Sequence, residues 1–420
     1  MNFSWAIGRI IFFVLVPALL LGIQWILYRR ASRWLREQHP DARWALLALR
    51  IVFVIFNAAT LALIIFRPRF SEIPTWFLYW GVYPYFLWQG STFAVALVLI
   101  LAALIRLPFQ GAVAVARAIP PFKHRLDTVQ ATPAFQKYDA SRRVFLRRAM
   151  VGVTAASFGG NAYGMLVERS RCDLNDATML IPGLPAELSG FSIVLMSDIH
   201  SSLYMTRREM AEYVSMANGM NGDLIVVTGD FVNNQVDQAF PFAEAFSELK
   251  AQHGVYGVMG NPDFYTEDPD RVARVVDDCG VKLLRNDRVV IEKNGGRFSL
   301  IGVDDVGRNE RGTIKLREAI GTQPLDGPKV LLCHRPYYLP QAAAENIDLV
   351  LSGHTHGGQV VFGSFAGVTF SPAALASPYL WGKYSLGGTQ MYVSRGIGTV
   401  GVPVRFNCPP EITRIVLKPA

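Results

Sequence analysis

Nineteen consecutive residues without a charge, IIFFVLVPALLLGIQWILY at positions 10–28, constrain this chain more than any other stretch. A helix rises 1.5 Å per residue, so such a run spans roughly the hydrocarbon core of a bilayer, and in lipid only a helix satisfies its peptide groups within one segment. It reads as a first membrane span. Residues 51–66, IVFVIFNAATLALIIF, are equally uncharged and, with the apolar residues before Arg50, make a second. From Ile73 to Ile105 there are 33 uncharged residues, and a straight helix of that length would rise about 50 Å and overshoot a core of ~30 Å. Pro84 and Gly90 divide the run into an aromatic interfacial stretch, 76–89, and a third span from Gly90 to Ile105. The alternative for each run is a buried core helix of a soluble domain. A mean hydropathy of +0.25 over 420 residues is high for a soluble protein, and the apolar excess sits at the front of the chain.

Charge divides the sequence at the same place. Residues 1–168 carry net +12 and residues 169–420 net −4. The basic balance therefore belongs to membrane-flanking segments, and no nucleic-acid partner is expected. Arg29, Arg30, Arg33 and Arg36 follow the first span, and Arg117, Lys123, Arg125 and Lys137 follow the third; both segments read as cytoplasmic. The stretch SRRVFLRRAMVGVTAASFGGNAYGMLV, 141–167, pairs arginines ahead of a weakly apolar run uncharged from Ala149 to Val167. It resembles an internal twin-arginine export signal, and it reads equally as a fourth span whose arginines obey the positive-inside rule. On either reading the arginines stay inside and everything after about residue 168 lies outside. The organisation expected is a transmembrane region at 1–110, a cytoplasmic loop at 111–140, a signal-like fourth span at 141–168 and a globular domain at 187–418. The location implied is a bacterial inner membrane, crossed several times, with the globular domain extracytoplasmic. Cys172, Cys279, Cys333 and Cys408 form no C-x-x-C pair and give neither a zinc knot nor a disulfide framework.

After residue 187 the texture changes to short apolar runs, each ending in Asp, Asn or His. FSIVLMSD (191–198), GDLIVVTGD (222–230), GVYGVMGN (254–261), RFSLIGVDD (297–305), KVLLCH (329–334) and IDLVLSGH (347–354) read as core strands delivering polar groups at their carboxyl ends. RREMAEYVSMANGM, 207–220, is a helix between the first two, which is βαβ grammar. The strand ends supply Asp198 and His200 from S-D-I-H, Asp230 from T-G-D-F, Asn261 from G-N-P-D, His334 from L-C-H-R, and His354 and His356 from G-H-T-H. Carboxylate, amide oxygen and imidazole suit two divalent ions of the manganese, iron or zinc type. A lone histidine is more often structural, but here four of the seven in the chain fall in one ordered series.

These motifs resemble the calcineurin-like metallophosphoesterase superfamily, over residues 187–418. GHTHGGQV with the tail LGGTQMYVSRGIGTVGVPVRFNCPPEIT, 386–413, resembles its membrane-anchored or twin-arginine-exported branch. The resemblance implies a four-layer αββα sandwich, an α/β fold behind the all-α transmembrane region. It further implies that Asp198, His200 and His356 hold one metal, that Asn261, His334 and His354 hold the other, and that Asp230 bridges them. The reaction implied is hydrolysis of a phosphodiester or pyrophosphate bond by a hydroxide activated between two metals. Gly353, Gly357 and Gly358 are expected to turn the chain tightly and leave room for a substrate phosphate.

One position departs from the family pattern. Where G-N-H-D or G-N-H-E is usual, this chain has G-N-P-D, so Pro262 replaces the histidine that assists phosphoryl transfer, and no other catalytic residue is assigned. His253 or a water could stand in for it. The partners expected are the lipid bilayer and a small-molecule or lipid-linked phosphate substrate. The alternative is a catalytically impaired membrane-anchored domain that binds a phosphorylated lipid or partner.

Overall fold

The structure is a computed structural model and describes residues 15–66, 74–305, 310–322, 325, 327–365 and 368–420. The chain divides into two compact units, the helical N-terminal part to Ala162 and the part from Tyr163 to Ala420, with residues 70–78 assigned to the second.

The N-terminal unit is built from helices α1 (Val16–Gln38), α2 (Arg43–Phe66), α3 (Tyr83–Ala118), α4 (Pro120–Ala131) and α5 (Pro133–Leu166). Among the described residues two helical segments are long and apolar enough to cross a membrane, Arg43–Leu63 and Thr75–Ala118. The first expected span falls partly outside the described residues, at 10–14, and its remainder runs into α1. The interfacial stretch at 76–89 is not separate from the third span. Helix runs from Thr75 through a π-helical turn, Leu78–Val82, into α3. Pro84 lies just past the π-helical turn, where the regular i→i−4 ladder is already shifted, and the helix continues past it. Gly90 continues the helix and lets Asn161 approach, since a Cβ there would lie 2.9 Å from the Asn161 amide oxygen. Polar side chains tie α1 to α3: Gln24 donates to Gln89 Oε1 at 3.0 Å and to Thr92 Oγ1 at 2.6 Å, which satisfies groups that lipid could not. Most of the expected 111–140 loop is helical, in α3, α4 and α5. The signal-like segment lies inside α5, with Arg142 and Arg143 paired to Asp139 at 2.8 and 2.9 Å.

The C-terminal unit holds strands β1 (Asp173–Ile181), β2 (Ser192–Met196), β3 (Leu224–Val227), β4 (Val255–Gly257), β5 (Lys282–Leu283), β6 (Asp287–Lys293), β7 (Gly296–Val303), β8 (Lys329–Cys333) and β9 (Leu349–Ser352). It continues with β10 (Gly363–Phe365), β11 (Val368–Phe370), β12 (Gly382–Leu386), β13 (Thr389–Val393) and β14 (Glu411–Pro419). One six-stranded sheet runs β1, β14, β2, β3, β4, β5; the other runs β12, β13, β9, β8, β7, β6; β10 and β11 form a separate hairpin. All six apolar runs read from the sequence form strands. β2 to β5 are parallel to one another, as are β7, β8, β9 and β13.

Three apolar clusters define the layers. Leu195, Val226 and Leu417 of the first sheet pack against Leu300, Leu332 and Leu351 of the second. The outer face of the first sheet is covered by Met210, Val214, Phe242 and Val272 from α6 (Arg207–Gly219), α7 (Ala239–Phe246) and α8 (Pro269–Asp278). The second is covered by Leu316, Leu339 and Ala342 from α9 (Glu310–Ile320) and α10 (Leu339–Ala344). This is the expected αββα sandwich. Its sheet begins earlier than residue 187, because β1 pairs along its whole length with β14.

Candidate metal centre

Parallel strands place their carboxyl ends on one edge, and there the two sheets converge. Asp198 and His200 follow β2, Asp230 follows β3, Asn261 follows β4, His334 follows β8, and His354 and His356 follow β9. The chain must turn back at once to enter the covering helices, and it does so by reversing φ. Asp198 (53°), His200 (49°), Asp230 (58°), His354 (74°) and His356 (52°) all adopt the left-handed region. L-residues other than Gly, Asn and Asp rarely do so, and clusters of such strain occur at functional sites.

The side chains form two groups that share one carboxylate: Asp198, His200, Asp230 and His356 in the first, Asp230, His334 and His354 in the second, with donor atoms in each lying within 4.8 Å of one another. His200 Nε2 lies 3.0 Å from His356 Nε2 and 3.2 Å from Asp230 Oδ2. His334 Nε2 lies 3.1 Å from Asp230 Oδ1 and 3.1 Å from His354 Nδ1. All but His354 are almost fully buried, and their donor atoms converge. Asn261 Oδ1 is buried with no hydrogen-bond partner, a position that a cation beside Asp230 would satisfy. The donors thus fit divalent metal.

Further groups hold this set in place. His334 Nδ1 faces the Thr228 carbonyl at 2.8 Å, which fixes its tautomer and turns Nε2 toward Asp230. The His354 amide donates to both oxygens of Asp198, at 2.9 and 3.0 Å. Asp263 accepts from the amides of Asp230 (3.0 Å), Gly260 (2.8 Å) and Val232 (3.1 Å). It therefore anchors the backbone that carries Asp230. Burial, with the Asp230 charge beside it, pushes the Asp263 carboxyl up to about 7. Burial also raises Asp198, with the Asp230 charge adding to it. For Asp230 burial acts upward too, but the His334 charge and hydrogen bonds from His200 and His334 outweigh it and hold the carboxylate well below its usual range. His354 is pushed down to about 3 by burial and by the charges of His334 and Arg335; His356 is likewise lowered by burial and by His200. Both offer neutral lone pairs at neutral pH.

Two expectations change here. The space beside Gly353 is filled by Ser197 and Asp198, beside Gly357 by Arg395 and Cys408, and beside Gly358 by Ser371, so these glycines admit the protein's own chain and not a phosphate. His253 cannot replace the missing histidine. Its amide donates to the Asp223 carbonyl at the opposite end of β3, and its ring lies 5.4 Å from that of Phe191. Two arginines escaped the sequence reading. Arg335, next to His334 and paired with Asp305 at 2.7 Å, sets a cation beside His354. Arg405 is fully buried and donates to the carbonyls of Gly398, Arg395, Gly396 and Cys408. Nothing in the local sequence of Arg405 marks it, since its partners are backbone groups gathered by the fold.

An αββα sandwich carrying two linked Asp/His donor groups at its strand ends is the arrangement of a metallophosphoesterase domain. The calcineurin-like phosphoesterase family model matches residues 191–358. A transmembrane protein with metallophosphoesterase domain from Danio rerio is 32% identical over 268 residues, covering 61% of this chain and 60% of that protein. The metallophosphoesterase YkuE of Bacillus subtilis is 30% identical over 291 residues, 66% of this chain and 98% of YkuE. The phosphodiesterase YaeI of Escherichia coli is 27% identical over 230 residues, 54% of this chain and 82% of YaeI. The chain belongs to the calcineurin-like phosphoesterases, and it spans about three fifths of the length of the Danio rerio relative.

Proposed function

We propose that this protein hydrolyses phosphodiester or pyrophosphate bonds at a pair of divalent cations, on a lipid-linked substrate met at the outer face of a bacterial cytoplasmic membrane. One observation carries the reading. Asp230 belongs to both donor groups, and a shared carboxylate is what a pair of neighbouring cations requires. Asp198, His200 and His356 would hold one ion, Asn261, His334 and His354 the other, and Asp230 both. Manganese, iron or zinc bound there polarises a phosphoryl oxygen and lowers the pKa of water. Asp263 and the Thr228 carbonyl fix the donors in advance, so little reorganisation is needed. Pro262 brings no proton to the leaving oxygen. That favours bonds whose leaving group departs as a stable anion, and a lipid-linked diphosphate is of that kind. The arginines flanking the spans support cytoplasmic ends there and an external catalytic domain.

Purified full chain with added Mn²⁺ is expected to bind about two ions and to hydrolyse bis(p-nitrophenyl) phosphate. Asp230→Asn is expected to lose both ions and at least about 100-fold in rate, more than either His200→Ala or His354→Ala. Pro262 also favours a second reading, a domain that binds metal and a phosphorylated lipid without cleaving it. Metal uptake with no turnover on soluble esters, phospholipids and nucleotide-linked lipids would establish that reading, and failure to take up metal would reject both.

A further inference from the structure

Six residues separate His356 from the hairpin of β10 and β11, whose apolar side chains the described residues leave uncovered. Phe362 is 65% exposed, Phe365 77%, Val368 59%, Phe370 54% and, just beyond, Leu375 94%. The register sorts them. Phe365 pairs with Val368, Gly363 with Phe370, and Ser364 with Thr369. Directly opposed residues of an antiparallel pair share a face and alternate residues share it too. Phe365, Val368 and Phe370 therefore lie on one face, while Ser364 and Thr369 lie on the other, their hydroxyls 3.2 Å apart. A two-stranded ribbon of this kind is marginal in water unless its apolar face is covered.

The sequence around it narrows what the cover is. From Gly357 to Gly382 there is no Asp, Glu, Lys, Arg or His. A protein partner would find no charge there to set its register, whereas a surface that enters lipid has reason to exclude charge. The hairpin also hangs from the loop that receives the end of α5. Phe406 donates to Gln359 and Val361 to Phe406, at 2.9 and 2.8 Å, while Arg405 donates to the Gly164 carbonyl at 3.1 Å in the last turn of α5. Glu168 accepts from the Cys408 amide at 2.8 Å. Val400 and Val402, 48% and 39% exposed, lie in the same loop and accept from Gln359 at 3.1 Å each. The ribbon and the uncharged end of α5 are thus fastened to one short segment.

We infer that the β10–β11 hairpin, with Phe362 and Leu375, inserts into the outer lipid leaflet beside the metal centre. Aromatic and aliphatic side chains above a polar backbone suit the boundary between headgroups and acyl chains. Six residues span at most roughly 20 Å, so the hairpin keeps His354 and His356 within reach of headgroup phosphates. The consequence for substrate, a phosphate on an apolar anchor presented from the bilayer, rests on the phosphoesterase reading; the lipid contact does not.

The test uses the full chain in phosphatidylglycerol–phosphatidylcholine nanodiscs, with a nitroxide at Phe365→Cys or Val368→Cys, a control at Ser385→Cys on β12, and the spectrum of labelled wild type subtracted. Oxygen, which partitions into lipid, is expected to relax the labels at 365 and 368 more than a water-soluble nickel chelate does, with the order reversed at 385. Chelate access at 365 equal to that at 385 would show a water-facing ribbon and overturn the inference. Low access to both relaxants, or dipolar broadening that vanishes on dilution with unlabelled chain, would show a protein cover or a second copy and overturn it as well. Hydrolysis of bis(p-nitrophenyl) phosphate is expected to be unchanged in Phe365→Ser/Phe370→Ser, while the loss of lipid contact appears in the accessibility of a label at Val368→Cys. An inactive wild type with unchanged label accessibility would count against the phosphoesterase reading and leave the insertion standing.

Discussion

Five donors in the left-handed region, Asp198, His200, Asp230, His354 and His356, show what individual residues accept to build this site. Each such position is costly for a side chain other than Gly, Asn or Asp, and the hydrogen bonds from the Asp230 amide to Asp263 and from the His354 amide to Asp198 hold the conformations in place. Pro262 belongs to the same scale. It is buried in the short helical turn Asn261–Tyr265, and it can offer neither a proton nor an N–H. Wild type is expected to cleave p-nitrophenyl esters far faster than alkyl esters, because an alkoxide needs protonation and nitrophenolate does not. Pro262→His is expected to narrow that gap by raising the alkyl rate about 100-fold, the low end of the usual range of acid assistance. Equal wild-type rates on the two ester classes would show that Pro262 does not limit the reaction.

Between elements, the junction of α5 with the sandwich depends on close approach. A Cβ at Gly164 would overlap the Arg405 carbonyl oxygen and lie 2.9 Å from Val404 Cγ1, and backbone in contact cannot swing aside. Gly164→Val is expected to destabilise by roughly 1–3 kcal/mol, the usual cost of overpacking, read as a lower unfolding temperature of the full chain in detergent with the metal-binding stoichiometry retained. An unchanged midpoint would mean the helix end is free of the domain. Nearby, Arg169 pairs with Glu209 at 2.7 Å, tying the short turn Glu168–Ser170 after α5 to α6. Most of these contacts lie far apart in sequence, and only the folded chain brings them together.

For the whole molecule, the testable quantity is topology. Two segments among the described residues have the length and apolarity to cross a membrane, and the proposed function puts the C-terminal unit outside. A periplasm-active reporter fused after Ala420 is expected to be active; activity of a strictly cytoplasmic reporter there would place the catalytic domain inside. Arg142→Lys with Arg143→Lys is expected to abolish export if the pair is read as a twin-arginine signal and to leave it unchanged if the pair only marks the inner side. Both arginines also pair with Asp139, an exposed contact of small energy that lysine could keep.

What the sequence determined by itself was the content of the strands and the series of Asp, Asn and His residues that closes them. Runs such as LIVV before Thr228 and VLLC before His334 are short, apolar on both faces and closed by a polar residue, a pattern imposed locally by burial between a sheet and its helices. The same local logic failed where the sheet edge alternates. β1 reads as polar because only every second side chain is buried, and the hairpin's single apolar face is too short to register as a period. The split at Pro84 is not seen because the helix passes the proline by way of the π-helical turn Leu78–Val82. Only the tertiary structure decided that Asp230 serves both donor groups, that Gly353 and Gly357 make room for Ser197 and Arg395, that His253 lies at the wrong end of β3, and that Arg405 joins loops around the centre. These are contacts between residues separated by tens to hundreds of positions, and their geometry is set by how two sheets pack and where parallel strands end. A linear pattern records which groups are available, and packing determines which of them meet.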